Sequence, residues 1–175
     1  MVGVLFLDID GVLHPAKTNG EVFLRDRMQL LKQILQSSGA KVVLSSAWRT
    51  DEALFDLARE ELAHFHIRIY GTTPCTGWGT RVDEICAWLE GHAHVVDAFA
   101  VLDDMDLSEG GILNGHVVYT DPAIGLTADK VSAALAALKG GSGTEAVERW
   151  HALRAAERME CFDGCLEFIW PTQKK

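Results

Sequence analysis

Asp8 and Asp10 stand one residue apart at the end of the apolar run Leu5-Phe6-Leu7, and Gly11 follows at once. In an extended chain, side chains at i and i+2 share a face, so both carboxyls can enter one crevice where a strand ends. Gly11 then lets the backbone turn away without a Cβ penalty. Carboxylates this close repel unless a bound cation or a shared proton separates their roles. Taken alone, D-x-D-G fits a plain strand followed by a polar turn as well as it fits such a site. Two further apolar runs end the same way, however, in Ser45-Ser46 and in Asp103-Asp104. Separate strands delivering small polar or acidic groups to one edge are hard to explain as surface decoration.

The elements that must carry these groups follow from the hydrophobic pattern. Val2 to Leu7 is almost continuously apolar, as in a strand buried on both faces of a parallel sheet. Further strands are expected at 41–44, 67–70, 98–102 and 116–119, with a short extended flap at 21–24. Helices are expected between them. One starts near Asp26 and Gln29, presents Met28, Leu31, Ile34 and Leu35, and stops at Gly39. Thr50, Thr80 and Thr127 are read as caps of the others. Alternation of this kind predicts an α/β fold, a three-layer sandwich around a central parallel sheet. Such sheets bind ligands at the carboxyl ends of their strands, which is where the polar pairs fall. Gly140-Gly141-Ser142-Gly143 reads as a joint, dividing a core at 1–139 from an extension at 140–175. That extension holds Trp150, Phe168, Ile169 and Trp170, so it is expected to pack on the core or on a second copy.

Composition narrows the class. With 175 residues and 48% hydrophobic content, one domain with a real core is expected. The net charge of −9 argues against a broad basic surface and makes an anionic substrate depend on local cations or a metal. No apolar run approaches a membrane span, and Met1 leads directly into a strand rather than a secretory signal. Cys75, Cys86, Cys161 and Cys165 lack zinc-like spacing and read as reduced thiols of a cytoplasmic protein.

The order D-x-D-G-V-L, an apolar strand ending in serine, a cation opening a helix, and a strand ending in D-D resembles the haloacid dehalogenase (HAD) superfamily of phosphohydrolases. The likeness runs from about Val2 to Leu138. It is closest to small domains associated with RNA-repair proteins that carry L-S-S-x-W-R, L-D-D and G-L-T, here Leu44–Arg49, Leu102–Asp104 and Gly125–Thr127. The resemblance implies a Rossmann-like fold and a Mg²⁺-dependent phosphatase. Asp8 would be the nucleophile and Asp10 the general acid and base. Ser45 would contact phosphate, with Ser46 in its place if the register is off by one. Arg81 would stabilise Asp8 and the transferred phosphate, and Arg49 would reach a further substrate phosphate. Gly11 would lend its backbone to the substrate. The metal would be held by Asp8, Asp10 through its backbone carbonyl, Asp103 and Asp104. Each has a plainer alternative: capping for the serines, surface ion pairs for the arginines.

His14 reads as a packed loop histidine more readily than as a leaving-group contact. Among Trp48, Trp78 and Trp88, which could offer a base-stacking surface, Trp88 defaults to core and Trp78 is the better candidate. The segments between the motifs are consumed by core helices and strands, so no large cap is expected. An open site favours a nucleotide or nucleic-acid phosphate end as substrate, against which the acidic net charge pulls. A non-catalytic phosphate-binding module is the alternative of another class.

Overall fold

The computed structural model describes residues 2–18, 20–75, 79–140 and 143–166, with side chains described as far as residue 156. Trp78, the side chains of Cys161 and Cys165, and Phe168 to Trp170 lie outside the described set. Five strands form one parallel sheet: β1 (Val2–Leu7), β2 (Lys41–Leu44), β3 (Ile69–Thr72), β4 (Val96–Asp103) and β5 (Val117–Tyr119). Their spatial order is β3-β2-β1-β4-β5. The chain therefore winds outward from β1 in both directions, and β1 ends in the crevice where strand order reverses.

The helices are α1 (Arg25–Ser38), α2 (Glu52–His64), α3 (Arg81–His92), α4 (Ala128–Ala137) and α5 (Gly143–Leu166). Alternation along β1 sorts them into two layers. Leu5 and Leu7 face a core shared with Met28, Leu31, Ala58, Leu62 and Val131 of α1, α2 and α4. Val4 and Phe6 face the other core, with Val82, Ile85, Leu89 and Ala146 of α3 and α5. Phe6 is fully buried and meets Trp88 and Phe99 edge-on at 5.4 and 6.0 Å. Truncating such a ring to alanine costs about 3–5 kcal/mol. The arrangement is the expected α/β three-layer sandwich, and no large cap interrupts the described chain.

Local differences have local causes. Residues 21–24 form no strand, because Phe23 takes a left-handed φ of 53° that breaks extended pairing. Helix α1 begins one residue before Asp26; Leu24 occupies its N-cap without a side-chain bond. Asp51, not Thr50, caps α2 by accepting from the Leu54 N–H, while the Thr50 hydroxyl donates back to the Ala47 carbonyl. Thr80 caps α3 as expected, in a reciprocal box with Asp83. Thr127 occupies the N-cap of α4, but its hydroxyl donates to Asp129 instead of accepting from the helix. β3 lies two residues later than its hydrophobic pattern suggests, and β4 extends to Asp103. No helix among the described residues is long and apolar enough to cross a membrane.

Candidate active site

Backbone pairing continues one residue past the strands and sets a row of side chains at the carboxyl edge. The N–H of Asp8 donates to Leu102 O, that of Ser45 to Leu7 O, and that of Thr73 to Leu44 O. Thr120 likewise donates to Asp103 O. Thr73, Ser45, Asp8 and Asp103 are thus neighbours through the sheet, not through side-chain choice. All four are buried.

The acidic residues converge as their spacing suggests. Asp8, Asp103 and Asp104 each offer a carboxylate oxygen, and these atoms lie within 4.8 Å of one another. Arg81 stands at the first position of α3, where the capped helix start fixes its backbone, and its guanidinium reaches across to them. It donates to Asp103 at 2.8 Å and lies 3.5 Å from Asp8. One guanidinium faces these grouped carboxylates, so negative charge is left over. Burial, and then the charge of Asp8, raise the Asp103 carboxyl to about 6 against the pull of Arg81. Asp104 is raised for the same reasons, burial first. A cluster of oxygen donors with surplus negative charge fits a hard divalent cation.

Orphaned polar atoms complete the picture. Asp8 Oδ1, Ser45 Oγ and Thr73 Oγ1 are buried and lack a hydrogen-bond partner among the described residues. Leaving such groups unpaired costs about 1–3 kcal/mol each, so native proteins keep them where a ligand, ion or water completes them. Gly11 serves geometry: at φ +70°, a Cβ built on it would lie 2.3 Å from Asp104 Oδ2. Any side chain there would drive Asp104 from the cluster. The Gly11 carbonyl accepts from the Thr120 hydroxyl, tying the turn to the far side of the sheet.

The remaining candidates take other places. Ser46 accepts from the Trp48 N–H and so caps the short helical turn at Ala47–Thr50. Arg49 is not gathered into the carboxylate cluster. It donates to the carbonyls of Ser45, Ser46 and Thr73 and pairs with Glu84 at 2.6 Å, its side chain only 6% exposed. It staples the ends of β2 and β3 to α3. Asp10 projects to the mouth with its side chain 45% exposed. Trp48 is buried, not a surface platform, and its indole N–H donates to Asp10 at 2.7 Å. His14 is fully buried, with Nε2 2.9 Å from the other Asp10 oxygen. Trp88 is core.

Sequence reasoning missed Thr73. Setting β3 two residues early places Gly71, not Thr73, just past the strand end. The Trp48 contact with Asp10 joins separate loops and leaves no local signal, whereas His14 reaches Asp10 from four residues along the same loop.

The family model for the HAD domain in Swiss Army Knife RNA repair proteins matches residues 4–131. That span covers most of the chain, and the protein belongs to this family. It contains all the carboxylates, Ser45 and Arg81, and it stops short of α5. No curated protein matches the chain. No solved structure matches it either. Membership of an HAD family suggests phosphohydrolase-type activity, and the acidic cluster has the composition to hold a metal.

Proposed function

We propose, taking membership of the HAD family as premise, that the chain is a phosphomonoesterase that works through an aspartyl-phosphate on Asp8. The observation that carries this reading is the Asp8 oxygen itself. Oδ1 is buried, makes no hydrogen bond among the described residues and lies 3.5 Å from Arg81, while the likewise orphaned Ser45 follows the neighbouring strand at the same sheet edge. A carboxylate oxygen free of hydrogen bonds and close to a cation suited to a phosphate is what in-line attack requires.

In this mechanism the Ser45 hydroxyl and Arg81 hold the phosphoryl oxygens. An Asp8 oxygen forms a bond to phosphorus as the bond to the leaving oxygen breaks. Asp10, accessible at the mouth, gives its proton to that oxygen. Water then attacks the phosphorus and yields a proton to Asp10. The Asp8–phosphorus bond breaks, and inorganic phosphate leaves. The Asp8 and Asp103 carboxylates and the Asp10 backbone carbonyl would hold Mg²⁺, with Asp104 binding it directly or through water. When bound, the ion supplies positive charge that offsets repulsion between Asp8 and the incoming phosphate.

The test is hydrolysis of an aryl phosphate with Mg²⁺ present. Activity that survives both EDTA and Asp8→Asn refutes the mechanism. For the substrate, the family's description and the absence of a large cap favour a nucleotide or nucleic-acid phosphate end. A rate on 3′-phosphorylated oligonucleotide no better than on sugar phosphates counts against that choice. Failure to turn over any phosphate ester would leave the phosphate-binding module as the better reading.

A further inference from the structure

Resting on the phosphatase reading above, we infer that His14 and Trp48 are positioning residues, which together hold the Asp10 carboxyl in the orientation that serves the leaving oxygen. A half-exposed carboxyl at the mouth of an open site would otherwise turn among rotamers. Two neutral donors fix it, one on each oxygen. The Trp48 indole N–H donates to Oδ2 at 2.7 Å, and His14 Nε2 lies 2.9 Å from Oδ1. The direction of the histidine bond follows from its other nitrogen. The Phe23 N–H donates to His14 Nδ1 at 3.3 Å, so Nδ1 accepts and the ring proton sits on Nε2, facing Asp10.

The cradle is itself braced. His14 and Trp48 are both buried, and Phe23 packs on both, edge-on to Trp48 at 5.3 Å and tilted to His14 at 5.7 Å. Phe23 does so with φ at 53°, a conformation that a bulky residue adopts only where its surroundings impose it. Each carboxylate oxygen has two lone pairs, so one donor on each leaves both oxygens able to face substrate. Donors from the loop after β1 and the loop after β2 converge on a half-exposed group, where such bonds add less to stability than in the core. What they supply is preorganisation of the reacting group.

Two esters separate this role from plain packing. p-Nitrophenolate leaves without a proton, whereas an alkoxide needs one, and kcat/KM reports the step in which it leaves. Trp48→Phe keeps an aromatic ring and removes the N–H. His14→Leu removes the donor, and His14→Gln restores an N–H near Nε2. With the full chain and Mg²⁺, Trp48→Phe and His14→Leu are expected to lower kcat/KM on an alkyl phosphate about tenfold more than on p-nitrophenyl phosphate. His14→Gln is expected to recover most of that gap. Equal losses on both esters in a folded variant overturn the inference. No turnover of either ester by the unaltered chain removes the phosphatase reading, and the positioning role falls with it. Should a variant not fold, the Trp48 indole N–H resonance of the unaltered chain and of Asp10→Ala decides. A downfield, exchange-protected signal that is lost in Asp10→Ala supports the cradle, and a signal indifferent to Asp10 overturns it.

Discussion

Two arginine–carboxylate clusters share the N-terminal turn of α3, and they are built on opposite principles. At the carboxyl edge, Arg81 faces Asp8, Asp103 and Asp104, and an Asp8 oxygen is left without a hydrogen bond. Where α5 docks, Arg154 bridges Asp83 at 2.6 Å and Glu109 at 2.7 Å, while the Trp150 indole donates to Asp83 and Thr80 donates to Glu109. The pKa directions diverge accordingly. Burial alone would raise Asp83, but bonds from Trp150, Thr80 and Arg154 outweigh it and hold the carboxyl below its ordinary range. Asp103, raised first by burial and then by the charge of Asp8, goes up to about 6 despite its bond from Arg81. The same ingredients make a clasp when every charge is answered, and a cluster with the composition to hold a cation when they are not.

Substitution of Asp8 separates the two clusters most sharply. Asp8→Asn is expected to reduce phosphate-ester turnover to background without lowering the melting temperature, because it removes one of the crowded charges. A large loss of stability would mean that Asp8 is structural. Asp10→Asn is expected to cost about 10²- to 10⁴-fold in kcat/KM, the usual worth of a general acid. A loss below tenfold on an alkyl phosphate would shift that role to another group.

Acidity then tests the charge imbalance. Below about 6 Asp103 holds a proton, and a protonated carboxyl cannot ligate, so half-saturating Mg²⁺ is expected to rise about tenfold per pH unit under that value. The metal-free protein shows the linked effect. The folded state binds the Asp103 proton more tightly than the unfolded chain, so this group's contribution to the melting temperature rises as pH falls from about 7 through 6. Asp83 contributes in the reverse sense: its stabilisation is present above the ordinary carboxylate pKa and is lost as pH falls through its lowered value. A Mg²⁺ requirement flat from pH 7 to 5 would contradict the crowded-cluster account.

The clasp gives the smallest effect. Hydrogen bonds to charged groups are worth about 1.5–3 kcal/mol each, and at this chain length 1 kcal/mol moves the melting temperature by roughly 2–4 °C. Arg154→Met is therefore expected to lower melting by several degrees and leave kcat/KM within about twofold. A tenfold fall in rate would couple α5 to the site.

The contrast also marks what the chain discloses on its own. Buried strands announce themselves as apolar runs, and capping residues such as Thr80 announce a helix start, so the layers and the acidic strand ends were legible. Arg81 and Arg49 are the same residue type, each close to a strand end or helix start, and type alone does not say which one meets the carboxylates. Only the tertiary path of Thr73 and Glu84 takes up the second while leaving the first beside Asp8. Thr73 was hidden by a strand whose alternation of half-buried and exposed residues places its end poorly. The joining of Asp10 to His14 is local, but its joining to Trp48 depends on β2 lying next to β1.

The central place of β1 carries a kinetic consequence. Its neighbours on either side, β2 and β4, come from well separated parts of the chain, and Asp103 meets Asp8 only when the more distant of them has docked. Closing so large a loop is slow, so the reactive edge should be among the late regions to consolidate during refolding. Exchange protection of the amide of Asp8, bonded to Leu102, is accordingly expected to appear after that of Ser45, bonded to Leu7. A site organised this way acquires its shape around Asp8 before it acquires the charge of Asp103.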